Sequence, residues 1–471
     1  MGRSVRLRVP SPIEVEMAAI EKRSRSDWQK LDKDHYLHPF TNHKELHEQR
    51  SRIITRADGV YIYDADDNKI LDGMSGLWCV NAGYGQQELV DAAAEQMQEL
   101  PYYNSFFQCA HPPVIELSAI LKEVSQPQFK RFFFSGSGSE SNDTIVRMVR
   151  TYWDLMGQPG RHTIISRDNA YHGSTVAAAS LGGMKAMHKQ SGLPIPGIVH
   201  VDQPYWFGSD QTLSPDEFGL AAARSIEAKI KEVGPEKVAA FIGEPIQGAG
   251  GVIVPPDSYW PEVQRICDEY GILLISDEVI TGFGRLGHWF GADYFGTRPD
   301  FMAFAKGVTS GYLPLGGVMV SDRVADVLID KAGEFFHGYT YSGHPVACAV
   351  AIANIKLIQR DKLVERIRDD IGPYLQQKWS ALMDHPLIGD TRMVGLMGAF
   401  EIVKNKEPLE RFDEDQGVGG MVRDELIANG VCMRAVGDTI ICAPPFILSH
   451  SEADEMMETT WKALDRVHKK I

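Results

Sequence analysis

Ile272-Leu273-Leu274-Ile275-Ser276-Asp277-Glu278-Val279 is a short apolar run that stops on two carboxylates, and Phe301-Met302-Ala303-Phe304-Ala305-Lys306-Gly307 is a second that stops on a lysine. Short apolar runs without alternation read as strands buried on both faces, the texture of a parallel sheet covered by helices. A carboxylate at the end of such a strand is costly to bury unless something cationic faces it. For Asp277 that partner is an arginine, a metal shared with Glu278, or the protonated ring nitrogen of a cofactor. A lysine held in low dielectric has a lowered pKa and becomes a nucleophilic amine. The plainer reading of Lys306 is a side chain that reaches from a strand end to water.

Outward from these two runs the chain keeps one rhythm. Further apolar strands are expected at 131–134, 162–166, 198–201, 238–243 and 317–320, separated by helical stretches such as 140–156 and 259–270. Strands alternating with helices predict an α/β fold with a mostly parallel sheet and ligands at the carboxyl ends of its strands. At one such end lies Phe134-Ser135-Gly136-Ser137-Gly138-Ser139-Glu140, a strand running into a small-residue turn and a helix. The N–H groups of a helix start, with two hydroxyls beside them, make a phosphate cradle, though a serine-capped turn looks the same in sequence. It is not a dinucleotide fingerprint, because Ser141 stands where a third glycine would be.

Before this region, residues 1–50 are polar and read as an arm, and 59–64 with 69–72 read as a hairpin around Asp66-Asp67-Asn68. Beyond 345 the chain turns helical and then strand-like at 395–403 and 430–443, the second half of a smaller lobe.

A chain of 471 residues exceeds one compact core, so two lobes are expected. Its 44% hydrophobic and 24% charged content is that of a globular protein, and a net charge of −15 disfavours nucleic acid and anionic membrane as partners. The six cysteines form no CxxC pair, so neither a metal site nor a disulfide framework is expected. No run reaches the roughly 18 apolar residues of a membrane span. Met1–Pro10 is arginine-rich without the apolar stretch of a secretory signal, and the expected location is cytoplasmic.

A phosphate cradle, a buried carboxylate and a buried lysine are the three protein contacts that a pyridoxal cofactor needs. The ordered blocks Ser137-Gly138-Ser139-Glu140, Tyr171-His172-Gly173, Gly243-Glu244-Pro245, Asp277-Glu278-Val279 with Gly282-Phe283-Gly284-Arg285, and Ala305-Lys306-Gly307 resemble the class III aminotransferases over nearly the whole chain. The resemblance implies a fold-type-I pyridoxal-phosphate-dependent transferase: a large domain with a mostly parallel sheet, plus a smaller α+β domain drawn from both termini. The expected division is 1–75 for the arm and part of the small domain, 76–340 for the large domain and 341–471 for the rest of the small domain.

The same resemblance implies pyridoxal 5′-phosphate bound to Lys306 as a Schiff base, with Lys306 also shuttling the proton and Asp277 holding the ring nitrogen protonated. Ser137, Gly138 and Ser139 would take the phosphate, joined by Thr340 of a neighbouring subunit in a homodimer. Tyr171 and Val279 would sandwich the ring, with His172 and Glu244 in support. Gly136 stands where relatives carry Asn, which leaves the outer cradle open.

Met74-Ser75-Gly76-Leu77-Trp78-Cys79-Val80 resembles the pocket of the amine:pyruvate, or omega-transaminase, branch. Leu77, Trp78, Phe106, Tyr171, Ile280 and Tyr339 would line the substrate site, and Arg434 would bind the keto-acid carboxylate and swing aside for an apolar amine. The implied activity is transfer of an amino group from a primary amine to pyruvate through pyridoxamine phosphate in a ping-pong cycle. A β-alanine or 4-aminobutyrate type of aminotransferase, or another pyridoxal-phosphate enzyme such as a decarboxylase or racemase, stays open beside it.

Overall fold

The computed structural model describes residues 23–471, so residues 1–22 of the polar arm lie outside the described residues. Strands are numbered along the chain: β1 (Ile54–Asp58), β2 (Tyr61–Asp64), β3 (Lys69–Asp72), β4 (Phe129–Ser135), β5 (Thr163–Arg167), β6 (Ile198–Val201), β7 (Val238–Gly243), β8 (Leu273–Asp277), β9 (Phe301–Phe304), β10 (Gly316–Ser321), β11 (Ile388–Val394), β12 (Met397–Ile402), β13 (Val431–Cys432), β14 (Arg434–Val436) and β15 (Thr439–Cys442).

Contacts divide the chain into two compact units. The smaller holds the described part of residues 1–56 together with 62–69. Its helix Arg25–His35 is started by a capping box in which Ser24 and Asp27 satisfy each other's backbone N–H groups. The 64–68 turn closes on Asp64, whose Oδ1 accepts the N–H groups of Asp66 and Asn68. The larger unit, residues 57–61 and 70–471, carries everything that follows.

Its main sheet has seven strands in the order β4-β10-β9-β8-β7-β5-β6. Only β10 runs against its neighbours, pairing antiparallel with β4 and β9, while β9, β8, β7, β5 and β6 are parallel. Every residue of β7, β8, β9 and β10 is buried. That explains why their sequences are apolar without alternation: helices cover both faces. One face packs Ile275, Phe301 and Val318 under the helix Gly138–Leu155, through Ile145, Val149 and Trp153. On the other, Phe241 and Leu274 meet the helices Pro215–Val233 and Tyr259–Tyr270. Gly317, opposite Phe304, leaves the space for that ring: a Cβ there would lie 2.4 Å from Phe304 Cζ.

All seven strands expected from the sequence form, three with the expected ends and the other four with ends shifted by one or two residues. One shift matters, because β8 runs one residue further and takes Asp277 in as its last member. The 395–403 and 430–443 stretches become β12 to β15, with β11, β12, β15 and β14 forming a four-stranded antiparallel sheet. Among the described residues none of the six cysteines is in a disulfide. Among the described residues no helix is long and apolar enough to cross a membrane, and no three His, Cys, Asp or Glu side chains are grouped to hold a metal.

Because Ile275 is fully buried at the centre of β8, Ile275→Ala leaves a cavity there. The expected outcome is a loss of about 3 kcal/mol of stability, checked as a lower urea midpoint of the cofactor-free protein.

Candidate active site

The carboxyl ends of β4, β5, β7, β8 and β9 surround one cavity of about 350 Å³. It is bordered by the turn Gly136 to Ser139, by Tyr171, His172 and Gly173, and by Glu244, Asp277, Val279, Ile280 and Lys306. Thr309, Leu313 and Cys79 also line it.

The cradle is built from the start of the helix Gly138–Leu155. Ser137 caps it, its hydroxyl accepting the Glu140 N–H, and Glu140 Oε2 returns to take the Gly136 N–H at 2.6 Å. The N–H groups of Gly138 and Ser139 have no helical carbonyl to reach, and they meet the positive end of the macrodipole. Gly138 must be glycine for a second reason: a Cβ would stand 2.8 Å from Val279 Cγ2. Gly173 packs as closely, since its Cβ would fall 2.5 Å from Ser139 Oγ.

Asp277 is buried and takes three donors. His172 Nδ1 lies 2.7 Å and Asn142 Nδ2 2.8 Å from Oδ2, and the Val279 N–H lies 3.1 Å from Oδ1. Asn142 Nδ2 also reaches the His172 carbonyl at 2.8 Å, so one amide ties both groups together. Among the described residues no arginine pairs with Asp277. Glu278 is fully buried and turned to other work: Ser276, Thr281 and the N–H groups of Gly291 and Ala292 hold its two oxygens at 2.5–3.0 Å. That leaves neither of the two protein-based partners read for Asp277, and a cationic ring nitrogen at the cavity wall is the one that fits.

Lys306 sits in a left-handed conformation (φ +47°) just past β9. Burial lowers its pKa, which Asp277 and Glu244 partly oppose. A non-glycine residue in this region costs about 1–2 kcal/mol, and Ser75, Trp78 and Phe283 nearby in the chain's loops share it. Such strain persists where the surroundings over-determine it. Glu244 offers Oε1 to the Tyr171 N–H at 2.9 Å, while Oε2 has no partner. Burial pushes its carboxyl up to about 7.

The remaining sequence-derived residues lie outside this cavity's lining. Trp78 is buried among Met74, Ile246, Val252 and Leu286 in a cluster against which Ile280 packs. Leu77 is 53% exposed. Phe106 packs beside Gly338, Tyr339 donates its hydroxyl to the Glu140 carbonyl at 3.1 Å, and Thr340 is exposed, its carbonyl taking the Tyr102 hydroxyl. Arg434, on β14, is half-buried; its guanidinium bonds to no described residue, yet its charge bears on Lys306 and Tyr171. Asp438, the nearby carboxylate that could have paired with it, instead takes the Gly419 N–H at 2.7 Å. Arg285 is fully buried and joins loops, donating to Leu396 O, Pro444 O, Ser75 Oγ and Asn81 Oδ1.

Sequence reading missed Asn142 and Cys79. The signal for Asn142 was present: it lies four residues after Gly138, on the same face of an otherwise apolar helix side. Nothing local marks Cys79.

A parallel α/β sheet with a lysine, a hydrogen-bonded carboxylate and a helix-start cradle at one cavity defines a pyridoxal-phosphate enzyme, and the groups left open here suit that cofactor: Glu244 Oε2 and His172 Nε2, without partners among the described residues, and the helix-start N–H groups of the cradle. The Aminotransferase class-III description matches residues 43–464, and the chain belongs to that family. It is 57% identical over 440 residues to a putrescine–pyruvate aminotransferase of Pseudomonas aeruginosa, covering 93% of this chain and 96% of that one. To gamma aminobutyrate transaminase 1, mitochondrial, of Solanum lycopersicum it is 41% identical, covering 92% and 85%. Among solved structures, an (S)-enantioselective omega-transaminase from Thermomicrobium roseum superposes with a TM-score of 0.92 at 42% identity, over 94% of this chain and 99% of that one. The omega transaminase from Pseudomonas jessenii in complex with PMP does so at 0.92 and 38%, over 94% and 98%. The protein is thus a pyridoxal-phosphate-dependent aminotransferase of fold type I.

Glu244 gives a pH-dependent outcome. Its folded pKa stands above the ordinary glutamate value of 4.5, so its contribution to stability is present below 4.5 and is lost as pH rises through about 7. The cofactor-free Glu244→Gln variant should therefore gain in melting temperature relative to wild type as pH goes from 5 to 8. Parallel curves for the two proteins would contradict it.

Proposed function

We propose that this aminotransferase moves the amino group of a primary amine, with a terminal diamine of the putrescine type as first donor, to pyruvate. Arg434 carries the reading. A half-buried guanidinium within electrostatic reach of Lys306 and without a carboxylate partner is suited to the carboxylate of an incoming keto acid. Val279, Ile280 and Leu313 give the rest of the wall an apolar character that accepts a methylene chain. The 57% identical relative named for putrescine and pyruvate supports the same pair.

Pyridoxal 5′-phosphate, when bound, supplies the carbonyl that takes the amino group and a ring that disperses the charge left on the substrate carbon. Lys306 would hold it through Nζ and would be the base that takes the proton from the amine-bearing carbon. Asp277, kept in place by His172 and Asn142, holds the proton on the ring nitrogen. The cradle of Ser137, Gly138 and Ser139 receives the phosphate, while Tyr171 and Val279 flank the ring.

The proposal includes a homodimer, in which Phe106, Tyr339 and Thr340 serve the site of the second copy. Phe107, Phe336 and Tyr341, at 89%, 77% and 64% exposure, support an interface on the same loops. It also includes the division into 1–75, 76–340 and 341–471. A second reading, an ω-amino acid donor, is favoured by the gamma-aminobutyrate transaminases at 38–41% identity, because Arg434 could hold that carboxylate too. Rates with putrescine, 1-phenylethylamine, β-alanine and 4-aminobutyrate against pyruvate decide between them.

Lys306→Ala is expected to cut transamination by about 10⁴-fold or more and to abolish the adduct fixed by borohydride; retention of either contradicts the assignment. Arg434→Ala is expected to raise the KM for pyruvate about 100-fold and to leave amine oxidation in the half-reaction within a few fold. Steady-state and single-turnover kinetics read both.

A further inference from the structure

We propose that Asp72 and Tyr84 are positioning residues that set the shape of the 74–79 segment and through it select the amine; the selection rests on the proposed function.

Asp72 is the last residue of β3 and is 1% exposed. Its Oδ1 accepts the Met74 N–H at 3.0 Å, and its Oδ2 accepts both the Gly76 N–H at 2.6 Å and the Tyr84 hydroxyl at 2.7 Å. The segment it holds departs from ordinary backbone at three of four successive positions: Ser75 (φ +48°), Gly76 (φ +68°) and Trp78 (φ +64°). Two of these carry side chains, and a left-handed serine and tryptophan so close together need external restraint. Asp72 supplies it through the two N–H groups that bracket Ser75. The Ser75 hydroxyl, donating to the Ala443 carbonyl at 2.6 Å, closes the far side.

The consequence reaches the cavity directly. Two residues beyond Gly76, Trp78 is turned into the apolar cluster against which Ile280 packs, and Cys79 is delivered to the cavity wall, where its charge state couples to Lys306. Leu77, between the clamp and the cavity, is left half in solvent. The clamp therefore fixes which of three consecutive side chains faces substrate, without touching substrate or cofactor. The Tyr84 hydroxyl can be removed with little change in buried volume, which makes it the cleaner handle.

Tyr84→Phe and Asp72→Asn test this in the full-length protein. In the cofactor-free form, alkylation of Cys79 by iodoacetamide, followed by peptide mass spectrometry, reports opening of the segment. It should accelerate about tenfold in Tyr84→Phe, the shift expected from one lost charge-assisted hydrogen bond. In the holoenzyme, the ratio of kcat/KM for 1-phenylethylamine to that for putrescine should change at least about fivefold, a difference of ~1 kcal/mol. The absorbance of the bound cofactor should stay as in wild type. Unchanged Cys79 reactivity in Tyr84→Phe overturns the proposal, and so does a uniform fall for both amines. Should Asp72→Asn fail to fold, Tyr84→Phe decides alone. If wild type uses neither amine, the function reading fails, and Cys79 alkylation by itself still settles whether the clamp exists.

Discussion

The site depends on the burial of one carboxylate. Asp277 ends a central strand as a buried carboxylate at the cavity wall, and among the described residues no arginine is built against it. What stands there is a set of dipoles: the imidazole N–H of His172, the amide of Asn142 and the backbone N–H of Val279. Such donors orient a charge and lower the cost of burying it without neutralising it. The remaining negative potential is directed at the cavity, where, on the proposed reading, a protonated ring nitrogen would complete the pair. Burial that would be a defect in a scaffold is here what selects the cofactor.

Around that charge, other buried groups hold loops. Glu278, next in sequence, has both oxygens engaged by four donors and so holds the turn that leads away from Val279 and Ile280. Arg285 does the same with cationic chemistry, joining 75, 81, 396 and 444 from one guanidinium. Burial pushes its pKa down to about 10, which still leaves it charged at neutral pH. Rigid strand ends and pinned loops are what keep reacting groups within the tolerance that catalysis demands.

Much of the fold was legible because its strands are buried on both faces. A strand without solvent-facing positions writes itself as an uninterrupted apolar run, and β7, β8, β9 and β10 do so. The cradle, Asp277 and Lys306 were legible because each interrupts such a run with a residue that has no place in a core. Asn142 was not singled out, since one polar residue in a helix of eighteen reads as an exposed position until the helix is docked. Cys79 was invisible because its place at the cavity follows from three left-handed residues whose conformation no local preference dictates.

The sequence by itself determined the order of strands and helices, the kind of sheet and the groups proposed to meet the cofactor, because hydrophobic periodicity and strand-end polarity are local properties of the chain. Only the tertiary structure decided what those groups face: that Asp277 meets His172 and Asn142 rather than an arginine, that Glu278 serves a loop, that Arg434 has no carboxylate beside it among the described residues, and that Trp78 lies in a core cluster while Cys79 reaches the cavity. Apart from the contacts of Glu278, these are relations between segments tens to hundreds of residues apart. They arise when the strands pair, and pairing is set by the burial of the whole sheet rather than by any one of its residues.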